Sequence, residues 1–259
     1  MQVRQGFTVE GFEGDADPFA FAADRGFDFV EFNTEHEFER SRTDHAAVAA
    51  RLDDHGLGAV AHLPYRLDPG SPHEHVREGA CRELEAAIDA AADLSAEKAV
   101  VHAESRVHAD AWDGDTVRSG LYDSVRRLDE YGRERDVEVC VENLKTPFFD
   151  AGDFPDLIER TDAAICLDTG HAYATGQDAG RQARLLHEHG DRVSHLHLND
   201  TRLTDDDEHL PVGMGRVDFA ALADAIRETD WQGTCTHEVF SFGVDYAAHG
   251  KDAFDSLVR

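Results

Sequence analysis

Short β-rich runs recur along the chain of 259 residues, and each is followed by enough sequence for one helix. The intervening segments show helical periodicity, most clearly in 73–94 and 117–131, where apolar side chains fall on one face. Strand–helix alternation repeated eight times indicates a parallel sheet, and eight such units close a (β/α)8 barrel. The predicted strands are 5–9, 27–33, 58–63, 98–103, 137–143, 163–168, 193–199 and 233–240.

An open, doubly wound sheet is the competing α/β architecture. Such a sheet usually carries a glycine-rich phosphate-binding turn after its first strand. Here that turn reads EGFEGDADP, which lacks the fingerprint. The sequence also shows no linker, low-complexity tract or short repeat, so we predict that residues 1–259 form a single TIM-barrel domain.

The formal net charge is −29, from 54 acidic residues against 25 lysines and arginines. The acidic residues are spread along the whole chain, which favours the solvated shell of a halophilic protein over a dedicated acidic partner surface. Nucleic acid is disfavoured as a routine partner because phosphate binding needs a basic stripe, and the sequence contains none. A local basic patch would still be compatible with this composition.

The cysteines contain no CxxC pair, and three of the four lie in strand-like runs, so we expect buried, reduced thiols at Cys81, Cys140, Cys166 and Cys235. The first residues lack the apolar stretch of a signal peptide, and no later run is long enough to span a bilayer. We therefore expect a soluble, cytoplasmic protein without a membrane partner. The protein could form oligomers, and the sequence does not decide this because association leaves no short sequence signature.

Carboxylates and imidazoles recur at the C-terminal ends of predicted strands three to eight, where the active sites of such barrels are built. Oxygen and imidazole ligands without thiolates suit Mn²⁺, Co²⁺, Zn²⁺ or Fe²⁺, and Mg²⁺ less well. Burying so many of these groups together without a cation would be very costly, so the sequence predicts a metal centre. The six residues are His62, His102, Glu142, Asp168, His197 and Glu238.

The alternation of side chains along each strand predicts how residues are arranged inside the barrel. Residues two positions before a strand-end ligand share its face and should lie one layer below it. This applies to Cys140, Cys166 and His195, and we expect His195 to be a packed imidazole rather than a ligand. Glu31 should face the barrel mouth, where it could either contact a ligand or support a loop.

Several segments resemble the xylose-isomerase-like TIM-barrel superfamily, which includes sugar isomerases and epimerases, inosose dehydratases and endonuclease IV. The similar segments are VCVENLK, ICLDTGHAYATG, VSHLHLNDTR, DEHLPVGMGRVDF and THEVF, and the resemblance covers predicted strands three to eight. For the sugar enzymes, it implies one divalent metal (Mn, Zn, Co or Mg) with Glu142 and Glu238 doubling as the acid–base pair. The metal ligands implied are Glu142, Asp168, His197 and Glu238, and the implied substrate contact is His171.

Two basic residues are weaker candidates for substrate binding. An arginine is expected shortly after the strand-seven histidine, and Arg202 lies one residue away from that spacing. Lys145 follows Glu142 closely and could contact a substrate phosphate, although a loop lysine facing solvent is the plainer interpretation.

The leading functional hypothesis is a metal-dependent isomerase or epimerase acting on a small carbohydrate, a sugar phosphate or a related polyol. Such a reaction removes a proton from carbon next to a carbonyl, and a metal that polarises the carbonyl stabilises the enediolate. A carboxylate beside the metal would take and return the proton.

The resemblance to endonuclease IV implies an alternative, a metallo-phosphodiesterase acting on abasic DNA. The acidic composition of this chain and its short strand-end loops disfavour this alternative, because short loops leave little to insert into DNA. The resemblance to endonuclease IV implies three metal groups: His62 and His102 with Glu142; Glu142, Asp168, His197 and Glu238; and His171, Asp207 and His209.

A third hypothesis is a catalytically idle barrel that serves as a binding module.

Overall fold

The computed structural model describes residues 3–10, 17–240 and 243–259, and its central feature is a closed barrel of eight parallel strands in chain order. Each strand pairs with the next, and the eighth pairs with the first. The predicted (β/α)8 barrel is therefore confirmed, with strand bounds that differ from the prediction by at most three residues. The strands are β1 (Arg4–Val9), β2 (Phe29–Asn33), β3 (Gly58–His62), β4 (Lys98–His102), β5 (Glu138–Glu142), β6 (Ala164–Asp168), β7 (Val193–Leu198) and β8 (Thr234–His237).

Helices surround the barrel. The two predicted from periodicity are α3 (Glu74–Asp93) and α4 (Gly114–Arg133). The apolar faces of both helices are buried against the strands, as an amphipathic period requires. The others are α1 (Pro18–Asp24), α2 (His45–His55), α5 (Phe154–Arg160), which follows a 3₁₀ turn at Ala151–Asp153, α6 (Thr169–Ala174), α7 (Ala179–His189), α8 (Phe219–Thr229) and α9 (Asp245–Val258).

Aspartates begin many of these helices. The side chains of Asp17, Asp113, Asp178 and Asp218 accept hydrogen bonds from backbone N–H groups of the first turn. Such caps satisfy donors that the helix itself leaves unpaired. Part of the acidic composition is thus used to begin helices at the ends of loops.

The inside of the barrel is layered. Phe29, Val60, Val100, Cys140 and Cys166 form an apolar cluster enclosed by the strands. The two cysteines therefore lie one layer below the strand-end residues of β5 and β6, as strand alternation predicts. All four cysteines are buried thiols, which confirms the expectation for them.

Two loops matter for the site at the C-terminal mouth. Residues 199–218 connect β7 to α8 with little regular structure beyond one bridge, Asp200 with Leu210. The EGFEGDADP turn after β1 includes residues 11–16, which lie outside the described residues. No helix within the described ranges is long and apolar enough to cross a membrane.

Candidate metal centre

Four residues from consecutive strands meet at the C-terminal mouth of the barrel. Glu142 and Asp168 end β5 and β6, His197 lies near the end of β7, and Glu238 directly follows β8. All four are buried, and one potential ligand atom of each lies within 4.8 Å of those of the others. Parallel strands bring their carboxyl ends to one edge of a barrel, so local sequence rules already predict this convergence.

Glu142 is shared between two groups. Its Oε1 lies 3.2 Å from His197 Nδ1, within the four-residue group. Its Oε2 lies 3.3 Å from His62 Nε2 and 3.2 Å from His102 Nε2. The two carboxylate oxygens therefore face different sets of potential ligand atoms, so Glu142 could serve as a ligand in both groups.

A third group forms beside the first two. Asp207 Oδ2 lies 3.4 Å from His171 Nε2 and 2.5 Å from His209 Nε2. His209 Nδ1 lies 3.3 Å from Glu238 Oε2, so this group adjoins the four-residue group. His171 comes from α6, whereas Asp207 and His209 come from the long 199–218 loop.

The donor atoms fit divalent cations. Among the described residues, Glu142 Oε2, Glu238 Oε2 and His209 Nδ1 are buried side-chain atoms whose contacts with neighbouring imidazoles and carboxylates lack the geometry of hydrogen bonds. Buried polar atoms rarely lack a well-formed hydrogen bond in native proteins, so such atoms within groups of carboxylates and imidazoles fit residues that would hold cations. A mixed set of carboxylate and imidazole donors suits Zn²⁺, Mn²⁺ or Co²⁺.

Burial and neighbouring charges shift the pKa values of the residues in this centre. Burial alone would raise the pKa of Glu142, but His197 and His102 keep it well below the usual value. Burial, partly opposed by His171, raises the pKa of Asp168 to about 6. Burial would lower the pKa of His171, but Asp168 and Asp207 overcome it and raise that pKa to about 9. Carboxylates thus draw protons onto the imidazoles, in the positions where bound cations would supply the positive charge.

Glu31 lies one layer below the ligands and is fully buried. Its Oε1 lies 3.0 Å from His197 Nε2, and its Oε2 accepts a hydrogen bond of 2.6 Å from Thr236 Oγ1. Of the two roles left open by the sequence, the structure shows contact with His197, one of the predicted metal ligands. This contact leaves His197 Nδ1 free to face Glu142.

Asp168 is fixed from both sides. Its Oδ1 accepts a hydrogen bond of 2.6 Å from the backbone N–H of His171 as the N-cap of α6. Its Oδ2 accepts another of 2.6 Å from Asn199 Nδ2. Asn143 binds both backbone groups of Asp168. The carboxylate is therefore oriented by hydrogen bonds that need no bound ion.

A fourth cluster of ligand-type atoms is formed by Cys166, His195 and His197. Burial raises the pKa of the Cys166 thiol well above its usual value, and burial lowers the pKa of His195 to about 4. His195 Nδ1 lies 2.6 Å from Thr234 Oγ1, and its Nε2 lies 3.1 Å from Glu31 Oε2. A neutral, hydrogen-bonded imidazole beside a protonated thiol is a packed layer, which agrees with the prediction for His195.

The two weaker candidates lie in different surroundings. Lys145 Nζ contacts the carboxylates of Asp206 and Asp207, so it adjoins the third group. Arg202 is exposed and pairs with Glu208, a residue outside the three groups. Substrate binding by either residue stays a prediction.

Sequence reasoning missed a buried carboxylate in the 199–218 loop. Asp200 is fully buried and accepts backbone hydrogen bonds from Thr201, Gly213, Gly215 and Val217. Asp200 and its partners lie in the family-like segments VSHLHLNDTR and DEHLPVGMGRVDF, but this resemblance does not identify the pairing.

Comparisons with known proteins give two kinds of relatives. Residues 19–257 match the sequence model of the family described as xylose isomerase-like TIM barrel. A protein named "Probable endonuclease 4" from Mycobacterium ulcerans is 28% identical over 192 residues, which cover 70% of this chain and 73% of that protein.

Among solved structures, a D-tagatose 3-epimerase-like protein superposes with a TM-score of 0.84 at 21% identity, covering 99% of this chain and 97% of the other. An L-ribulose 3-epimerase superposes with a TM-score of 0.80 at 18% identity, covering 99% and 95%. At such identities the likeness shows a common fold and no more.

Proposed function

The chain belongs to the xylose isomerase-like TIM-barrel family, and within it we propose that this protein is a metal-dependent phosphodiesterase with several cations around Glu142. The observation that carries the proposal is the shared carboxylate, whose Oε2 faces His62 and His102 while its Oε1 faces His197. This changes the order of the two hypotheses favoured from the sequence. The name of the mycobacterial relative, an endonuclease, agrees with phosphodiester cleavage.

Three ligand groups are more than an isomerase requires. A proton transfer beside a carbonyl needs one cation and an acid–base pair, which the four-residue group would supply. The clustered residues His62, His102, Asp207 and His209 would then have no chemical role. Grouping such residues is costly unless cations or protons compensate their charges, so their presence favours a centre with more than one cation.

Divalent cations bound to these groups would neutralise the charge of a phosphodiester and activate a water molecule for attack on phosphorus. The protein side chains fix where this happens. Glu142 lies between two groups and would serve both, with Oε2 towards His62 and His102 and Oε1 towards His197. Asn199 and the N-terminus of α6 hold Asp168 in one orientation. Lys145 offsets part of the negative charge of Asp206 and Asp207 at the edge of the site.

The net charge of −29 determines the assay conditions. A protein with this charge repels polyanions at low ionic strength, and high salt screens that repulsion because it shortens the screening length. We therefore expect hydrolysis of phosphodiesters to be detected at high potassium chloride, with abasic duplex DNA and bis(p-nitrophenyl) phosphate as the two test substrates.

The testing experiment counts metals and measures hydrolysis on the same preparations. Wild-type protein loaded with Zn²⁺ or Mn²⁺ should bind three cations per chain and cleave at least one substrate. His102→Asn should lose one cation and most of the activity, whereas His108→Asn, an exposed histidine of the same loop region, should resemble wild type. One cation per chain together with no hydrolysis would sink the proposal.

A sugar epimerase is the second candidate, favoured by two of the three buried carboxylates of the four-residue group. Glu142 and Glu238 both lie next to His197, as an acid–base pair around one cation would. The fold shared with two sugar 3-epimerase-type structures over 99% of the chain is consistent with it. Deuterium exchange from solvent into a panel of ketoses, lost in Glu238→Gln, would support this candidate against the first.

A further inference from the structure

The 199–218 loop supplies two members of the third ligand group, although its sequence contains charges that disfavour a compact loop. Asp205, Asp206, Asp207 and Glu208 are four consecutive acidic residues, and like charges so close together repel one another. Lys145 offsets part of the charge of Asp206 and Asp207, whereas the exposed pair of Arg202 with Glu208 adds little because solvent screens it. These side-chain pairs do not hold the backbone of the loop, which a buried residue does.

Asp200 is the buried anchor of this loop. Its Oδ1 accepts hydrogen bonds from Thr201 N at 2.9 Å and Val217 N at 3.0 Å. Its Oδ2 accepts from Gly213 N at 3.1 Å and Gly215 N at 2.7 Å. Hydrogen bonds to an ionised acceptor are about twice as strong as neutral ones, so this carboxylate ties the end of the loop to its beginning.

The backbone of Asp200 reaches the ligands more directly. Asp200 N donates to Leu210 O at 2.8 Å, and Leu210 N donates to Asp200 O at 2.9 Å. Leu210 follows His209, whose φ of +47° is in the left-handed region that a residue other than glycine adopts only when its surroundings hold it there. The two backbone hydrogen bonds between Asp200 and Leu210 therefore fix the chain at the residue next to His209, a proposed ligand.

Gly215 shows how closely the loop fits the anchor. A Cβ at this position would overlap Asp200 Oδ1 and the backbone carbonyl of Thr201. Only glycine lets the backbone N–H approach the carboxylate so closely. The anchor and the loop are thus fitted to one another over a separation of 15 residues.

We propose that Asp200 is the positioning residue of the third ligand group: it shapes the loop so that Asp207 and His209 face His171 before a cation binds. It acts through backbone N–H groups and through the chain next to His209. The inference rests on the proposed function in one respect, since it takes the third group to be a cation site.

The test compares Asp200→Asn with Asp205→Asn in the full-length protein. Both variants remove one negative charge from the same loop region, but Asp205 is exposed. Asparagine at position 200 keeps one acceptor oxygen and turns an NH2 group towards backbone donors, so about half of the anchoring bonds are lost.

The first readout is amide hydrogen exchange of the cation-free protein. In Asp200→Asn, the amides of Leu210, Gly213, Gly215 and Val217 should exchange at least roughly tenfold faster than in wild type, while Asp205→Asn should leave them unchanged. The second readout is titration with Zn²⁺ alone. One of the three binding steps should weaken about 10–100-fold in Asp200→Asn, with the other two retained.

Unchanged exchange at these four amides in Asp200→Asn would overturn the proposal. Faster exchange with all binding steps as strong as in Asp205→Asn would overturn it as well, because the loop would then not position Asp207 and His209. If wild type binds one cation per chain and hydrolyses neither test substrate, the proposed function fails, and faster exchange would still support the anchoring role. If Asp200→Asn does not fold, Gly215→Ala serves as the second variant, with the same expected exchange and Gly79→Ala as its control.

Discussion

His197 and Glu31 form a buried pair in which the ring Nε2 lies 3.0 Å from Glu31 Oε1, while the ring Nδ1 lies 3.2 Å from Glu142 Oε1. A histidine that gives one nitrogen to a carboxylate keeps the other in a fixed orientation for a metal, and the carboxylate makes that nitrogen more basic. The two residues are 166 positions apart in the sequence, and the closed barrel brings them together.

Glu31→Gln is expected to weaken cation binding by the four-residue group. The amide is neutral, so His197 loses the charge that orients it, and affinity should fall about 10–100-fold. A chelator competition assay would measure the change, and the visible absorption of Co²⁺-loaded protein would report the altered ligand field. Glu159→Gln, an exposed change of the same kind on α5, should leave both unchanged. Equal affinities in the two variants would contradict the assigned role of Glu31.

Removal of divalent cations is expected to lower thermal stability. Each site occupied at a free cation concentration 100 times its Kd adds about 2.7 kcal/mol to the free energy of unfolding. For a chain of this size, that corresponds to a fall in Tm of roughly 5–10 °C per site upon chelation. Glu142→Gln removes the shared ligand, so its Tm should respond much less to the chelator. A wild-type Tm that ignores both chelator and added Zn²⁺ would argue against a metal centre.

Gly170→Ala is expected to destabilise the protein by about 1–3 kcal/mol, as overpacked interiors do. A Cβ at Gly170 would overlap Asn199 Oδ1, and Asn199 holds Asp168 Oδ2 at 2.6 Å. Urea unfolding would measure the loss, and cation affinity should fall with it. Among the described residues, no atom lies within 4 Å of a Cβ built on Gly79 in α3, so Gly79→Ala should instead stabilise the protein by about 0.5–1 kcal/mol. The same sign for both variants would refute this packing argument.

Stability is expected to rise with potassium chloride. With 54 acidic residues against 25 lysines and arginines, repulsion outweighs attraction over the surface. The screening length falls from about 10 Å at 0.1 M to about 3 Å at 1 M salt, which weakens that repulsion. The urea midpoint should therefore increase over this range, and sucrose at equal osmolality should reproduce little of the increase. A midpoint that falls with salt would count against an acidic surface adapted to high ionic strength.

The sequence by itself determined the barrel and the strand-end part of the site. Strand alternation has a period of two and depends only on local backbone geometry. It therefore predicted that Cys140 lies below Glu142 and that His195 is packed beneath His197. Parallel strands also end at one edge, so the convergence of Glu142, Asp168 and Glu238 followed from their positions alone.

Only the tertiary structure decided the contacts that connect distant parts of the chain. Whether Glu31 supports a loop or touches His197 depends on which side chains meet across the closed barrel. The position of Asp207 and His209 depends on an irregular loop, whose shape is set by hydrogen bonds from Asp200 to Gly213, Gly215 and Val217. Periodic patterns cannot predict such bonds, because they join single residues at separations that no local backbone rule specifies.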